Sequence, residues 1–249
     1  LVYDPQSKPY SDAWGRAVAA AEKYNEPGKF SAFIGYEWTS LIKGNNMHRV
    51  VVYRDGGDVG GQMVPYTTTA PYGSPNPRDL WKWMQGYEDT TGGDILAIAH
   101  NGNLSNGIMF PVVDAFSRKK IGKTYAKTRA RWEPLYEVTQ IKGDGEAHPF
   151  LSPDDQFADY ETWAKGNLDL SVPKQDDMLQ YEYARSALKL GLQLDAKLGI
   201  NPYKFGMIGS TDSHTGLATA DEDNLFGQHS RAGSTERRGG RRGGHGGWK

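Results

Sequence analysis

Three observations predict an α/β fold built on a parallel sheet or a barrel. Helical and apolar extended segments alternate along the chain, several of the extended segments end on a histidine or a carboxylate, and 249 residues suffice for one large domain with a buried core. In such folds functional groups gather at the strand ends.

The elements follow in order. Residues 11–24, SDAWGRAVAAAEKY, predict a helix with Ser11 as its N-cap, and Pro27-Gly28 closes it before an apolar run over 30–38. Residues 47–54, MHRVVVYR, are rich in β-branched and aromatic types and predict a second strand, followed by a polar, turn-rich loop over 56–77 that could overhang a site. Asp79 is placed to cap a short helix through LWKWMQGY, Gly92-Gly93 breaks the chain, and 95–99 forms a strand ending at His100. Residues 135–141, LYEVTQI, predict another strand, and 142–175 reads as loop with one helical turn over 154–163. Between 176 and 199, Leu179, Tyr183, Ala187, Leu190, Leu194 and Leu198 recur at three- and four-residue spacing, the stripe of one long amphipathic helix. Residues 204–210 then predict a buried strand that delivers Thr211-Asp212-Ser213-His214. From 231 glycine and arginine dominate, so the chain divides into a domain over 1–230 and a disordered tail over 231–249.

Composition narrows the function. The 29 basic and 30 acidic residues nearly cancel, so nucleic acid is not an expected partner, and RNA binding by the Arg-Gly tail is the minor reading of that segment. No run reaches the roughly 18 to 20 apolar residues of a membrane span, so a soluble chain is expected, in cytoplasm or periplasm, with oligomeric state left open. The absence of cysteine removes disulfides, thiolate zinc sites and a cysteine nucleophile, leaving any metal to oxygen and imidazole ligands. GxSxG, P-loop and GxGxxG motifs are absent.

The chemistry lies where histidines and carboxylates meet the expected strands. Glu37 ends one, His48 opens the next, His100 ends a third, and Asp212 and His214 end the last, on one face of an extended segment. Imidazole and carboxylate suit Zn, Mn or Fe(II), and a carboxylate can bridge two cations. Each residue also has a plainer reading: Glu37 an exposed strand end, His100 a hydrogen-bonded turn histidine, Asp212 a turn cap beside an exposed His214. His148, near Asp144 and Glu146, is a candidate for substrate binding or proton transfer, or one residue of a solvated loop. The NGNLSNG segment after His100 offers Asn101, Asn103, Ser105 and Asn106 as donors to an oxyanion or small-molecule substrate, or as a plain turn.

FIGYEWTS (33–40), NNMHR (45–49), LAIAHNGNLSNG (96–107), RARWEPLYEVTQIKGD (129–144) and NPYKFGMIGSTDSHTG (201–216) resemble a large bacterial family of unknown function related to the PHP (polymerase and histidinol phosphatase) domain. The likeness covers most of residues 10–228. It implies a distorted (β/α)7 barrel that binds two or three divalent metals (Mn, Zn or Fe) and hydrolyses phosphoesters. Glu37 then matches the bridging carboxylate, His48 and His100 match imidazole ligands, and Asp212 with His214 matches the closing Asp-x-His pair, with His100 and Asp212 at the catalytic centre and Asp212 an alternative proton acceptor. PHP proteins open with a His-x-His strand that does not occur before Glu37 here, so the resemblance implies an incomplete barrel, truncated at its N-terminus. Hydrolysis of a carboxylic ester, amide or lactone is the alternative chemistry. A fragment that binds metal or, through its seven Trp and fourteen Tyr, sugar is the non-catalytic alternative.

Overall fold

The fold is given by a computed structural model that describes residues 4–214. Helix α1 (Lys8–Tyr24) starts earlier than the sequence suggests, because Ser7 takes the extended capping conformation and Pro9 sits in the first turn, where its missing N–H costs nothing. Strand β1 is confined to Gly35–Trp38, and the expected run's earlier residues Phe30 and Phe33 are exposed. The short strands β2 (Leu41–Ile42) and β3 (Asn45–Asn46) form a hairpin whose turn residues, Lys43 and Gly44, both have positive φ, as a twist-matched two-residue turn requires. Strand β4 (Arg49–Tyr53) follows, and the loop after it contains a single turn, α2 (Gly57–Gly60).

Helix α3 (Pro77–Thr91) is capped by Asn76, whose side chain accepts from the Arg78 N–H; Asp79, the expected cap, is already inside the helix. Strand β5 (Ile95–Ala99) leads through a 3-10 turn (Gly102–Leu104) to α4 (Lys123–Trp132), a helix the sequence reading did not find. After β6 (Leu135–Gln140) and β7 (Gly143–Asp144), residues 154–163 make turns and no helix. The expected long helix over 176–199 divides into α5 (Asp176–Leu179) and α6 (Ala184–Leu198). The break is satisfied from outside: the Ala184 and Arg185 N–H groups donate to the Gly145 and Glu146 carbonyls at 2.8 and 3.1 Å, which caps α6. Strand β8 (Gly206–Gly209) comes last and is an edge strand rather than the buried one expected, with Met207 exposed.

An α/β architecture is therefore observed, but its sheet is mixed. The order is β1-β4-β5-β6, with β7 and β8 also pairing with β6; β1, β4 and β5 run antiparallel, and only β5-β6 and β6-β8 are parallel. The connection from β1 to β4 is the compact β2-β3 hairpin, too short for the crossover of roughly a dozen residues that parallel pairing needs. Among the described residues the sheet stays open and no barrel closes. Its covered face carries Val51, Tyr53, Ala97, Ala99 and Tyr136, packed with Trp14 and Val18 of α1, Trp81 and Met84 of α3 and Trp132 of α4. Four of the seven tryptophans, Trp14, Trp38, Trp81 and Trp132, are thus core.

No described helix is long and apolar enough to cross a membrane. The tail expected over 231–249, and 215–230 of the expected domain, lie outside the described residues.

Candidate metal centre

Sheet register brings the centre together on the face opposite those helices. Glu37 pairs with Val50 and Val50 with Ile98, while the β4-β5 ladder ends at Arg49 with Ala99. One residue further, His48 and His100 stand across from each other on the side of the pleat that carries Glu37. Asn46 fixes that corner, its Nδ2 donating to the carbonyls of His100 and Asn101 at 2.8 and 3.0 Å.

Glu37 is the hub. Its Oε1 lies 2.8 Å from His48 Nδ1 and 3.0 Å from His100 Nε2, and its Oε2 lies 3.7 Å from His214 Nε2. The potential ligand atoms of Glu37, His48 and His100 fall within 4.8 Å of one another, and so do those of Glu37, Asp212 and His214. All five residues selected from sequence therefore converge, in two sets that share one carboxylate, and either set could hold a metal ion.

The Asp212-His214 pair arrives by a different route from the one expected. Strand β8 ends at Gly209, and Asp212 has a φ of +51°, so a left-handed turn, not strand alternation, brings the two side chains to the hub. The Asp212 carboxylate is ion-paired with Lys142 Nζ, and His214 Nδ1 lies 2.9 Å from the Asp212 carbonyl.

Burial by itself would raise the Glu37 pKa, but the hydrogen bonds and charge of His100 and His48 outweigh it and hold the carboxyl well below the usual carboxylate range. Burial would lower His100; Glu137 and Glu37 overcome that and lift it to about 9. For His48 burial wins over the Glu37 contact, helped by repulsion from His100 and Lys142, and its pKa falls.

Glu137 is a residue the sequence reading missed. It projects from β6 beside His100, with Oε2 3.7 Å from His100 Nδ1 and accepting from Ser210 Oγ at 2.8 Å. Its signal was legible: a lone carboxylate between Tyr136 and Val138 in an otherwise apolar and polar-neutral strand. Lys142 was missed for the opposite reason, because a lysine in a loop is unremarked until its partner is known.

The residues expected to bind substrate make contacts within the protein. Asn101 is buried, with Oδ1 accepting from Gln140 Nε2 at 2.7 Å, and Asn103 is buried, with Nδ2 donating to the Lys142 carbonyl at 3.1 Å. One amide atom of each is thus held by the protein, while Asn101 Nδ2 and Asn103 Oδ1 are buried without a hydrogen-bond partner. His148 Nδ1 accepts from the Phe150 N–H at 3.1 Å and its ring packs 5.2 Å from Tyr183. Burial lowers its pKa.

Fold and site together define an α/β protein with a histidine-carboxylate centre at the end of its sheet. A family model described as a protein of unknown function (DUF3604) matches residues 2–245, and the chain belongs to that family. No curated protein and no solved structure matches the chain.

Proposed function

We propose that this protein is a metal-dependent hydrolase of phosphoesters, related to the PHP proteins and their distorted barrel. The observation that carries the reading is the sharing of Glu37 between two ligand sets drawn from residues 37–100 and 212–214. The donor set fits a divalent cation: His48 Nε2 and both ring nitrogens of His100 are buried without an aligned hydrogen-bond partner, although His100 Nε2 is 3.0 Å from Glu37. Buried polar atoms left so cost about 1–3 kcal/mol each, which ligation would remove.

Divalent cations held there would supply Lewis acidity toward water and toward a phosphoryl or acyl oxygen. Glu37 would serve both positions, with His48 and His100 on one side and Asp212 and His214 on the other. Alternatively, Asp212, which is ion-paired with Lys142, would take up the proton lost by the attacking water. Arg49 and the core behind the sheet close the opposite face to solvent.

The test is metal content by elemental analysis on protein purified without added metal, wild type against a His100→Ala, Asp212→Ala double variant, followed by aryl phosphate and aryl acetate turnover with Mn, Zn or Fe(II). Stoichiometric metal lost in the variant and turnover of phosphates alone would support the proposal. Folded wild type without metal would refute it, and turnover of acetates alone would redirect it to carboxylic esters, amides or lactones.

A further inference from the structure

His100 sits between two carboxylates, Glu37 of β1 and Glu137 of β6. Ala99 pairs in parallel with Tyr136, so the next residues, His100 and Glu137, emerge side by side on one face of the sheet. Glu37 approaches the Nε2 edge of the imidazole at 3.0 Å and Glu137 the Nδ1 edge at 3.7 Å. Those two edges point away from each other, so a cation lodged by Nε2 is out of reach of a group lodged by Nδ1. Glu137 accordingly belongs to neither set of mutually close ligand atoms.

The carboxylate of Glu137 is an unusual thing to bury. Only 6% of the residue is exposed, Oε2 accepts from Ser210 Oγ at 2.8 Å, and Oε1 is buried with no hydrogen-bond partner. Among the described residues no lysine or arginine pairs with it, and its one ionic neighbour is His100. Ser210 is itself anchored, its N–H donating to the Thr139 carbonyl at 3.1 Å. Strands β6 and β8 thus hold an isolated carboxylate against one imidazole. A carboxylate buried at this cost, with one serine hydroxyl as its hydrogen-bond donor and one imidazole as its ionic neighbour, points to a role at the ring it faces.

Resting on the metal-centre reading above, we propose that Glu137 is the positioning residue for His100: its carboxylate accepts the Nδ1–H, fixes that tautomer, and leaves Nε2 free to bind a cation on the Glu37 side. A carboxylate behind an imidazole ligand orients the ring and raises its basicity. Closing 3.7 Å to hydrogen-bond distance takes a movement of about 0.5–1 Å by side chains already in contact.

The experiment is a Zn²⁺ titration against a competing chelator for wild type, Glu137→Gln and Glu137→Ala, with melting in excess chelator as a fold control and ¹⁵N-imidazole NMR of the metal-free proteins. Glu137→Ala is expected to weaken Zn²⁺ binding about 10- to 100-fold, with Glu137→Gln between it and wild type because the amide oxygen still accepts but carries no charge. The His100 Nδ1-bound proton, seen in wild type, should be lost or shifted in both variants, which a merely structural role would not produce. Wild type that binds Zn²⁺ alongside a folded Glu137→Ala variant of equal affinity would overturn this proposal and leave the metal centre standing. Folded wild type that binds no Zn²⁺ would overturn both. Should Glu137→Ala fail to fold, the near-isosteric Glu137→Gln decides: weakened binding supports the proposal and wild-type affinity overturns it.

Discussion

Removing the carboxylate of Glu133 should cost this protein a large part of its stability. Glu133 lies at the end of α4, buried, and accepts from Arg49 Nε at 3.0 Å and from Trp81 Nε1 at 3.0 Å, while Arg129 Nη2 stands 3.1 Å from its other oxygen. Both guanidinium groups are buried with it, so one carboxylate serves two cations that water cannot reach. Breaking such a cluster by deleting one partner costs about 3–5 kcal/mol, because the remaining charges stay buried without compensation. Against a total stability of about 5–15 kcal/mol for a typical domain, Glu133→Ala should lie near the edge of folding at 37 °C. The loss should reach the centre as well, since Arg49 Nη1 donates to the Met47 carbonyl at 2.7 Å and so holds the backbone that presents His48. Urea unfolding followed by tryptophan fluorescence measures the effect, with Trp81 itself inside the perturbed cluster. A midpoint corresponding to less than about 1 kcal/mol of destabilisation would refute the argument, since surface pairs of that worth are common and buried ones are not.

The same residue sets an acid limit. Burial would raise the Glu133 pKa, but Arg129 and Arg49 outweigh it and depress it, so its contribution to stability is fully present above the unfolded-state pKa and is lost as pH falls through the folded value; unfolding midpoints from pH 7 downward should decline more steeply in wild type than in Glu133→Gln. Glu37→Gln should remove metal from both ligand sets at once, whereas His214→Ala should spare the Glu37-His48-His100 set, a difference elemental analysis would show. Gly102→Ala would drive a Cβ into the Glu182 carbonyl and the Tyr136 hydroxyl, and overpacking of about 1–3 kcal/mol should appear as a lower thermal midpoint. Asn76→Ala removes the cap of α3 and should cost about 1 kcal/mol by the same measurement.

How far the sequence foretold this arrangement depended on whether the information was local. Strands β4, β5 and β6 were legible because their apolar, β-branched runs are what a half-buried sheet needs, and Glu37, His48, His100, Asp212 and His214 were legible because each departs from that pattern at a strand end or beside one. Helix α4 was not, because its buried stripe is Tyr125, Ala126, Arg129 and Trp132, and the arginine counts as polar until Glu133 is seen to neutralise it. Strand direction escaped for a related reason: alternation of helix and strand suggests parallel pairing, while the hairpin that reverses β4 against β1 is encoded only in a few turn residues. The break before α6 depends on the carbonyls of Gly145 and Glu146, far away in sequence, and no periodicity within 176–199 reports it. Glu137 stands out locally as a lone charge in its strand, but its placement beside His100 is set by register and not by local sequence.

The two ligand sets that meet at Glu37 also differ in when they can exist. A nascent chain emerging from the ribosome has all of the Glu37-His48-His100 set and the β1-β4-β5 ladder that carries it once residue 100 is out, while Glu133 and Glu137, which brace Arg49 and His100, follow later. The second set waits until Asp212 and His214 have been synthesised and β8 has docked on β6, closing a loop that spans most of the described chain. Contacts of such separation form late and slowly. The two sets would therefore be completed in order, the first before the second, so that completion of the second would report on completion of the fold.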